Sequence, residues 1–197
     1  DSSESRGLGD VYKRQVPKDY LDQIKILLKK PKVIALGEIG LDYFKNISDK
    51  KIQKNIFREQ LELAQEINVP IVFHNRDSDK DILDTLSKFP DVIGVAHCFS
   101  SSYEVAKKLI DMGFYISFSG NLTFKNSHLP DVAKKLPLNK ILVETDSPFL
   151  SPVPHGGKIN EPGRTRFVAE LLAKLHGSTI NQIASITTNN ATNLFNL

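Results

Sequence analysis

Apolar and polar positions alternate along this chain in a regular rhythm from Pro17 onward. YLDQIKILLKK places apolar residues at helical spacing, and PKVIALGEIG follows with a short apolar run that ends in glycine. SDKKIQKNIFREQLELAQEINV reads as a long amphipathic helix, with Ile52, Ile56, Leu63 and Ile67 on one face. The pattern then repeats: VPIVFHNRD before the helical SDKDILDTLSKF, and DVIGVAHCFS before SYEVAKKLIDMG. FYISFSG and NKILVETDSP are two further runs, and FVAELLAKLHG is a last clear helix before NNATNLFNL. Short apolar runs separated by helices describe βα units whose parallel strands are buried on both faces. Strands are expected near 33–37, 70–74, 92–97, 114–119 and 140–145. The class is α/β, and at this level a doubly wound sheet and a β/α barrel are both open.

Composition narrows the setting without choosing a partner. The 197 residues are 40% hydrophobic, enough for one well-buried core. With 26 basic against 23 acidic residues the net charge is +3, which demands neither nucleic acid nor membrane. The single cysteine, Cys98, excludes an internal disulfide and points to a reducing, cytoplasmic setting. No apolar run approaches the roughly 20 residues of a membrane span. A monomer with no membrane partner is the expectation. The opening DSSESRGLGDVYKRQ has neither helical nor strand periodicity, so residues 1–16 are expected to be a non-native or disordered segment and 17–197 the functional domain.

The chemistry clusters at one place in the pattern. Runs end in a metal-binding or proton-handling residue: Glu38 in GEIGLDY, His74 in FHNRD, His97 in AHCFS and Asp146 in ETDSP. In β/α barrels, strand ends from several strands converge on the active site. Two imidazoles and two carboxylates suit Zn, Mn or Mg. Each residue alone has a bland reading, as a core histidine, a turn aspartate or a surface glutamate. Four such residues at the same end of successive strands make those readings a poor joint account.

Other groups near that edge are less decided. Arg76 suits a bidentate phosphate clamp or a surface ion pair with Asp77 or Asp79. Asp42 and Tyr43 are open between facing substrate and forming a turn. His155 and Lys158, in PHGGKINEP, sit in a segment expected to be a mobile loop that meets an anionic substrate. Cys98 should point away from His97 and pack. His128 and His176 read as structural.

Taken together, GEIGLDY, FHNRD, HCFS, ETDSP, PHGGKINEP and NNATNLF resemble the TatD family of metal-dependent deoxyribonucleases in order and spacing. The resemblance implies a TIM-type (β/α)8 barrel with two divalent ions and DNA as substrate. By it, Glu38 bridges both metals, His74 and His97 hold the second, and Asp146 helps hold the first and activates the attacking water. The catalytic residues would be Glu38 and Asp146, and Arg76, Lys158 and His155 the substrate contacts. Two departures stand out. The family begins with a strand ending in His-x-His, whereas no histidine precedes His74 here, so about three of the eight βα units are expected to be lacking. Gly156 also stands where the family's loop commonly has arginine. The same ligands would serve a related barrel hydrolase cleaving an ester or amide such as an aminoacyl-tRNA. An inactive piece that only binds metal or anion is the third possibility.

Overall fold

The computed structural model describes residues 16–44 and 48–197. The expectation for residues 1–16 falls, apart from Val16, outside them. Contacts divide the chain into two compact units, one ending at Val95 and the other beginning at Ala96.

The first unit builds β1 (Leu36–Asp42), β2 (Ile71–Arg76) and the start of β3 (Gly94–Ala96), with helices α1 (Tyr20–Leu28), α2 (Lys50–Ile67) and α3 (Asp79–Leu86). β1 and β2 are parallel, pairing Gly40 with His74 and Asp42 with Arg76. The Ile71 N–H donates to the Ile93 carbonyl at 3.0 Å, at the entrance to β3. Ile71 and Phe73 are fully buried, and α2 covers this layer with Phe57, Leu61 and Ala64.

Two sequence expectations shift here. The first strand was expected at 33–37 but lies at Leu36–Asp42, while Val33 and Ile34 are each 39% exposed. The glycines of GEIGLD lie inside the strand, where they permit close strand contact. At Gly40, φ is +132°, and a Cβ would stand 2.1 Å from the His74 carbonyl oxygen. The face of α2 differs in part: Leu63 is buried as expected, but Ile52 and Ile67 are exposed, and burial runs through Gln53, Phe57, Gln60, Leu61, Leu63 and Ala64. Two buried glutamines disguise that stripe as polar. The Gln53 amide is satisfied there, accepting from the Asp42 N–H at 2.9 Å and donating to the Asp42 carbonyl at 3.0 Å. It continues the β1 ladder with a side chain.

The α2 helix begins where Asp49 caps the Lys51 and Ile52 amides, and ends at Asn68 in a left-handed conformation.

The second unit contains α4 (Tyr103–Asp111), β4 (Tyr115–Phe118), α5 (Leu129–Ala133), β5 (Ile141–Val143), α6 (Thr165–Leu175) and α7 (Ile180–Phe195). β4 and β5 are parallel, pairing Ser117 with Leu142. Their core is Phe114, Ile116, Phe118 and Ile141, met by Val168 and Leu172 of α6. The α7 helix opens with a Thr179–Gln182 capping box. Asn190, from the NNATNLF motif, reaches back to donate to the carbonyls of Leu138 and Ile141, both at 2.8 Å. That motif is a clamp on the start of β5. The class is therefore α/β with parallel strands, as the sequence pattern indicates. Among the described residues, no helix is long and apolar enough to cross a membrane.

Candidate functional site

In the first unit, β1 and β2 bring three ionisable side chains together. Glu38 Oε1 lies 3.1 Å from His74 Nδ1, and Asp42 Oδ2 lies 3.2 Å from His74 Nε2. Asp42 is 7% exposed, whereas the Glu38 side chain is 44% exposed. Asp42 is fixed from behind by Gln53 and from the side by the Phe44 N–H, which donates to Oδ1 at 3.0 Å. The open choice for Asp42 is thereby resolved: it turns the chain and also orients the histidine.

Tyr43 turns outward to α3. Its hydroxyl donates to Asp81 Oδ2 at 2.7 Å, with Lys54 3.3 Å from the other oxygen. The hydrogen bond from Tyr43, then Lys54, hold the Asp81 carboxyl below its ordinary range, despite some desolvation. Burial, then Asp81, push the Tyr43 phenol up. A lowered carboxyl contributes stability above its unfolded pKa, and that stability is lost as pH falls through the native value. A raised phenol contributes stability below its unfolded pKa that is lost as pH climbs. Tyr43→Phe is therefore expected to lose about 1 kcal/mol at neutral pH, and less as the Asp81 carboxyl takes up its proton. Urea titrations at pH 7 and in steps downward through the acid range measure the difference; a loss that stays constant down to acid unfolding would contradict the linkage.

The second unit repeats the carboxylate–imidazole arrangement around His97, which follows β3. His97 Nδ1 is 2.8 Å from Glu144 Oε1, and Nε2 is 3.8 Å from Asp146 Oδ1. Glu144 is itself anchored: Oε1 accepts from the Cys98 N–H at 2.6 Å and Oε2 from the Ser117 hydroxyl at 2.8 Å. Cys98 has φ +45°, so the backbone turns sharply after His97 instead of continuing the strand alternation. The Cys98 amide and the His97 ring consequently meet the same carboxylate oxygen. The Cys98 thiol lies 3.0 Å from the Ser119 hydroxyl, in line with packing. Glu144 is the residue that sequence reasoning missed. The only signal was its spacing, two residues before Asp146 at a strand end.

The remaining candidates fall into two groups. His155 packs edge-on against Phe167, with centroids 5.0 Å apart, and Lys158 is exposed. Their loop is held by its own hydrogen bonds. Asn160, 4% exposed, donates to the Phe149 carbonyl at 2.8 Å. Arg164 donates to the Ser151 hydroxyl at 2.6 Å and the Ile159 carbonyl at 2.8 Å. Its Nε is buried and makes no hydrogen bond, although Glu161 lies 3.3 Å away as an ion pair. Arg76 is exposed and its guanidinium sits over Phe44. His128 and His176 take the structural roles expected, each with a ring nitrogen on a backbone carbonyl, that of Ser101 and of Ala133.

Among the described residues, no set of three or more His, Cys, Asp and Glu side chains is gathered as a metal shell. The donors come instead as imidazoles bracketed by carboxylates, and this chemistry fits a divalent cation. A neutral imidazole donates from one nitrogen only, so a ring with carboxylates at both nitrogens needs a proton or a cation on the other side. Two donors sharing an ion at about 2.1 Å each sit roughly 3–3.5 Å apart. Glu38 and His74 Nδ1, at 3.1 Å, meet that spacing. Asp42 and Glu144 then occupy the place of the outer carboxylates that fix a ligating histidine's ring.

Parallel βα units with acidic and imidazole donors at their strand ends are a setting in which metal-dependent chemistry is built. A family model described as TatD related DNase matches residues 10–196. The chain is 48% identical over 177 residues to the uncharacterized metal-dependent hydrolase YabD of Bacillus subtilis, covering 88% of this chain and 69% of that protein. It is 32% identical to the 3'-5' ssDNA/RNA exonuclease TatD of Salmonella typhimurium, covering 88% of this chain and 70% of that one. Among solved structures, the TatD homologue YJJV from Escherichia coli superposes with a TM-score of 0.84 at 32% identity, over 90% of this chain and 70% of that one. The chain belongs to the TatD family of metal-dependent hydrolases.

Proposed function

We propose that this chain is a TatD-type deoxyribonuclease, an exonuclease in action, that cleaves DNA phosphodiesters with the help of two divalent ions. The observation that supports it most is the doubled arrangement in which His74 and His97 each stand between two carboxylates. Glu38, His74, His97 and Asp146 are the side chains that would hold the ions. The parallel βα units are proposed to follow a TIM-type (β/α)8 barrel fold, a reading supported by the superposition on the YJJV structure.

When bound, the ions would supply Lewis acidity toward a water and the phosphoryl oxygens. The chain's own residues do the rest. Asp42 and Glu144 fix the two imidazole rings, so no orientation is lost on binding. Asp146, partly exposed, would take the proton of the attacking water. Arg76, Lys158 and His155 contact the substrate phosphates, Arg76 through its planar donor fork. The name of the Salmonella relative favours a single-stranded nucleic acid substrate.

The test is turnover of a labelled single-stranded DNA oligonucleotide beside aminoacyl ester and amide substrates, with chelator and after adding back Mn, Mg or Zn. Chelator-sensitive shortening of the DNA from one end is the expected result. Turnover indifferent to chelator, or confined to the ester or amide, would overturn the assignment.

A further inference from the structure

An exposed ring and an exposed guanidinium form a plate at the ends of β1 and β2. Phe44 is 58% exposed, an unusual setting for a phenyl ring, and the Arg76 guanidinium carbon lies 3.8 Å from its centroid. The plate is tied to the candidate site by short links. Phe44 donates its N–H to Asp42 Oδ1 at 3.0 Å, while Asp42 Oδ2 faces His74 Nε2. Arg76 follows His74 by two residues on β2 and is paired in register with Asp42. Side chains two apart on a strand share a face, so Arg76 lies on the His74 side.

Stacking uses the face of a guanidinium and leaves its in-plane N–H donors for an anion. A ring as exposed as Phe44 leaves aromatic surface open for a second partner. An anion donor beside an open aromatic surface matches the repeating unit of an unpaired nucleic acid strand, a phosphate joined to a base with a free π-face. A duplex keeps its bases stacked on each other and offers only the phosphate.

We propose that Phe44 and Arg76 form a nucleotide plate, seating one unpaired base on the ring and its phosphate on the guanidinium next to His74, and thereby select single strands. This rests on the nucleic-acid reading given above. Phe44 is a specificity-determining residue in this scheme, with no part in the bond cleavage.

The test is fluorescence anisotropy with a labelled oligothymidylate, the same backbone with abasic sites, and a duplex, all in chelator so that nothing is cleaved. The intact chain is expected to bind the thymidylate roughly tenfold tighter than the abasic strand. Phe44→Leu, which keeps apolar bulk without the π-face, should bring thymidylate binding down to the abasic level. Abasic binding should not change in that variant, and Phe44→Trp should restore the preference. Arg76→Ala should weaken both strands and reduce the salt slope by roughly 0.7, the value of one phosphate contact. Equal binding of thymidylate and abasic strands by the intact chain, or an undiminished preference in Phe44→Leu, would overturn the plate. If DNA is bound in either case and is shortened in the separate turnover assay with added metal, the proposed nuclease reading stands without it. If no strand is bound and only a non-nucleotide ester is turned over, that reading falls, and the plate with it.

Discussion

Replacing His74 with alanine is expected to lower chelator-sensitive DNA cleavage by more than about 100-fold, even with metal in excess. Loss of a group that merely orients a ligand costs about 10–100-fold, so a larger fall separates ligand from orienter. The same substitution at His97 should fall in the larger class, because its ring has the same two-sided carboxylate setting. Asp42→Asn and Glu144→Gln should fall in the smaller class, since each keeps its shape while losing the charge and turning one acceptor oxygen into an NH2 donor. Steady-state rates across these four variants give the ranking. Near-normal rates in both histidine variants would remove the site. Denaturation midpoints of the same variants separate loss of a ligand from loss of the fold, the His74 and His97 side chains being 27% and 15% exposed.

The second large effect is structural and lies directly beneath the first. Gly40→Ala would place a methyl group 2.1 Å from the His74 carbonyl oxygen, at a residue whose φ is +132°. Backbone cannot yield there as a flexible side chain would, because β1 and β2 are paired on both sides of the contact. A loss of about 3 kcal/mol or more is expected, from steric overlap and conformational strain together. Gly156→Ala is the control: its Cβ meets nothing within 4 Å, and the change should stay within about 0.5 kcal/mol. Chemical denaturation midpoints measure both. Equal stability of the two variants would contradict the close β1–β2 approach that positions His74.

Element types were legible in the sequence because burial on both faces leaves apolar runs that few other structures produce. Boundaries were less so, and the first strand shows why. Val33 and Ile34 look like strand and are 39% exposed, while the strand runs on through Gly37 and Gly40 to Asp42. A glycine in a strand can mark a close backbone approach, which a single sequence does not distinguish from a bend. Gln53 and Gln60 hid the buried face of α2 for a related reason. A satisfied buried amide breaks the apolar stripe without breaking the burial.

At the site, His74, His97, Glu38 and Asp146 stood out because of residue type and position at strand ends. Their partners did not. Asp42 and Glu144 act through contacts of 3.2 Å and 2.8 Å to rings that are 32 and 47 residues away in sequence, and pattern carries no such information. Cys98 is a further case. Strand alternation sends it away from His97, but a φ of +45° turns the backbone so that its amide meets the carboxylate holding that ring. Phe44 was silent in sequence, since exposure of an aromatic residue cannot be read from its neighbours.

Metal affinity tests the central claim most directly, because it does not depend on choosing the substrate. The chelator-stripped chain should be titrated with Mn and Zn by calorimetry, beside His74→Ala and His97→Ala. The expected result is saturable binding by the intact chain and a loss of at least 100-fold in affinity, or of a whole equivalent of metal, in each variant. Unchanged affinity and stoichiometry in both variants would contradict the assignment of these two imidazoles as metal ligands.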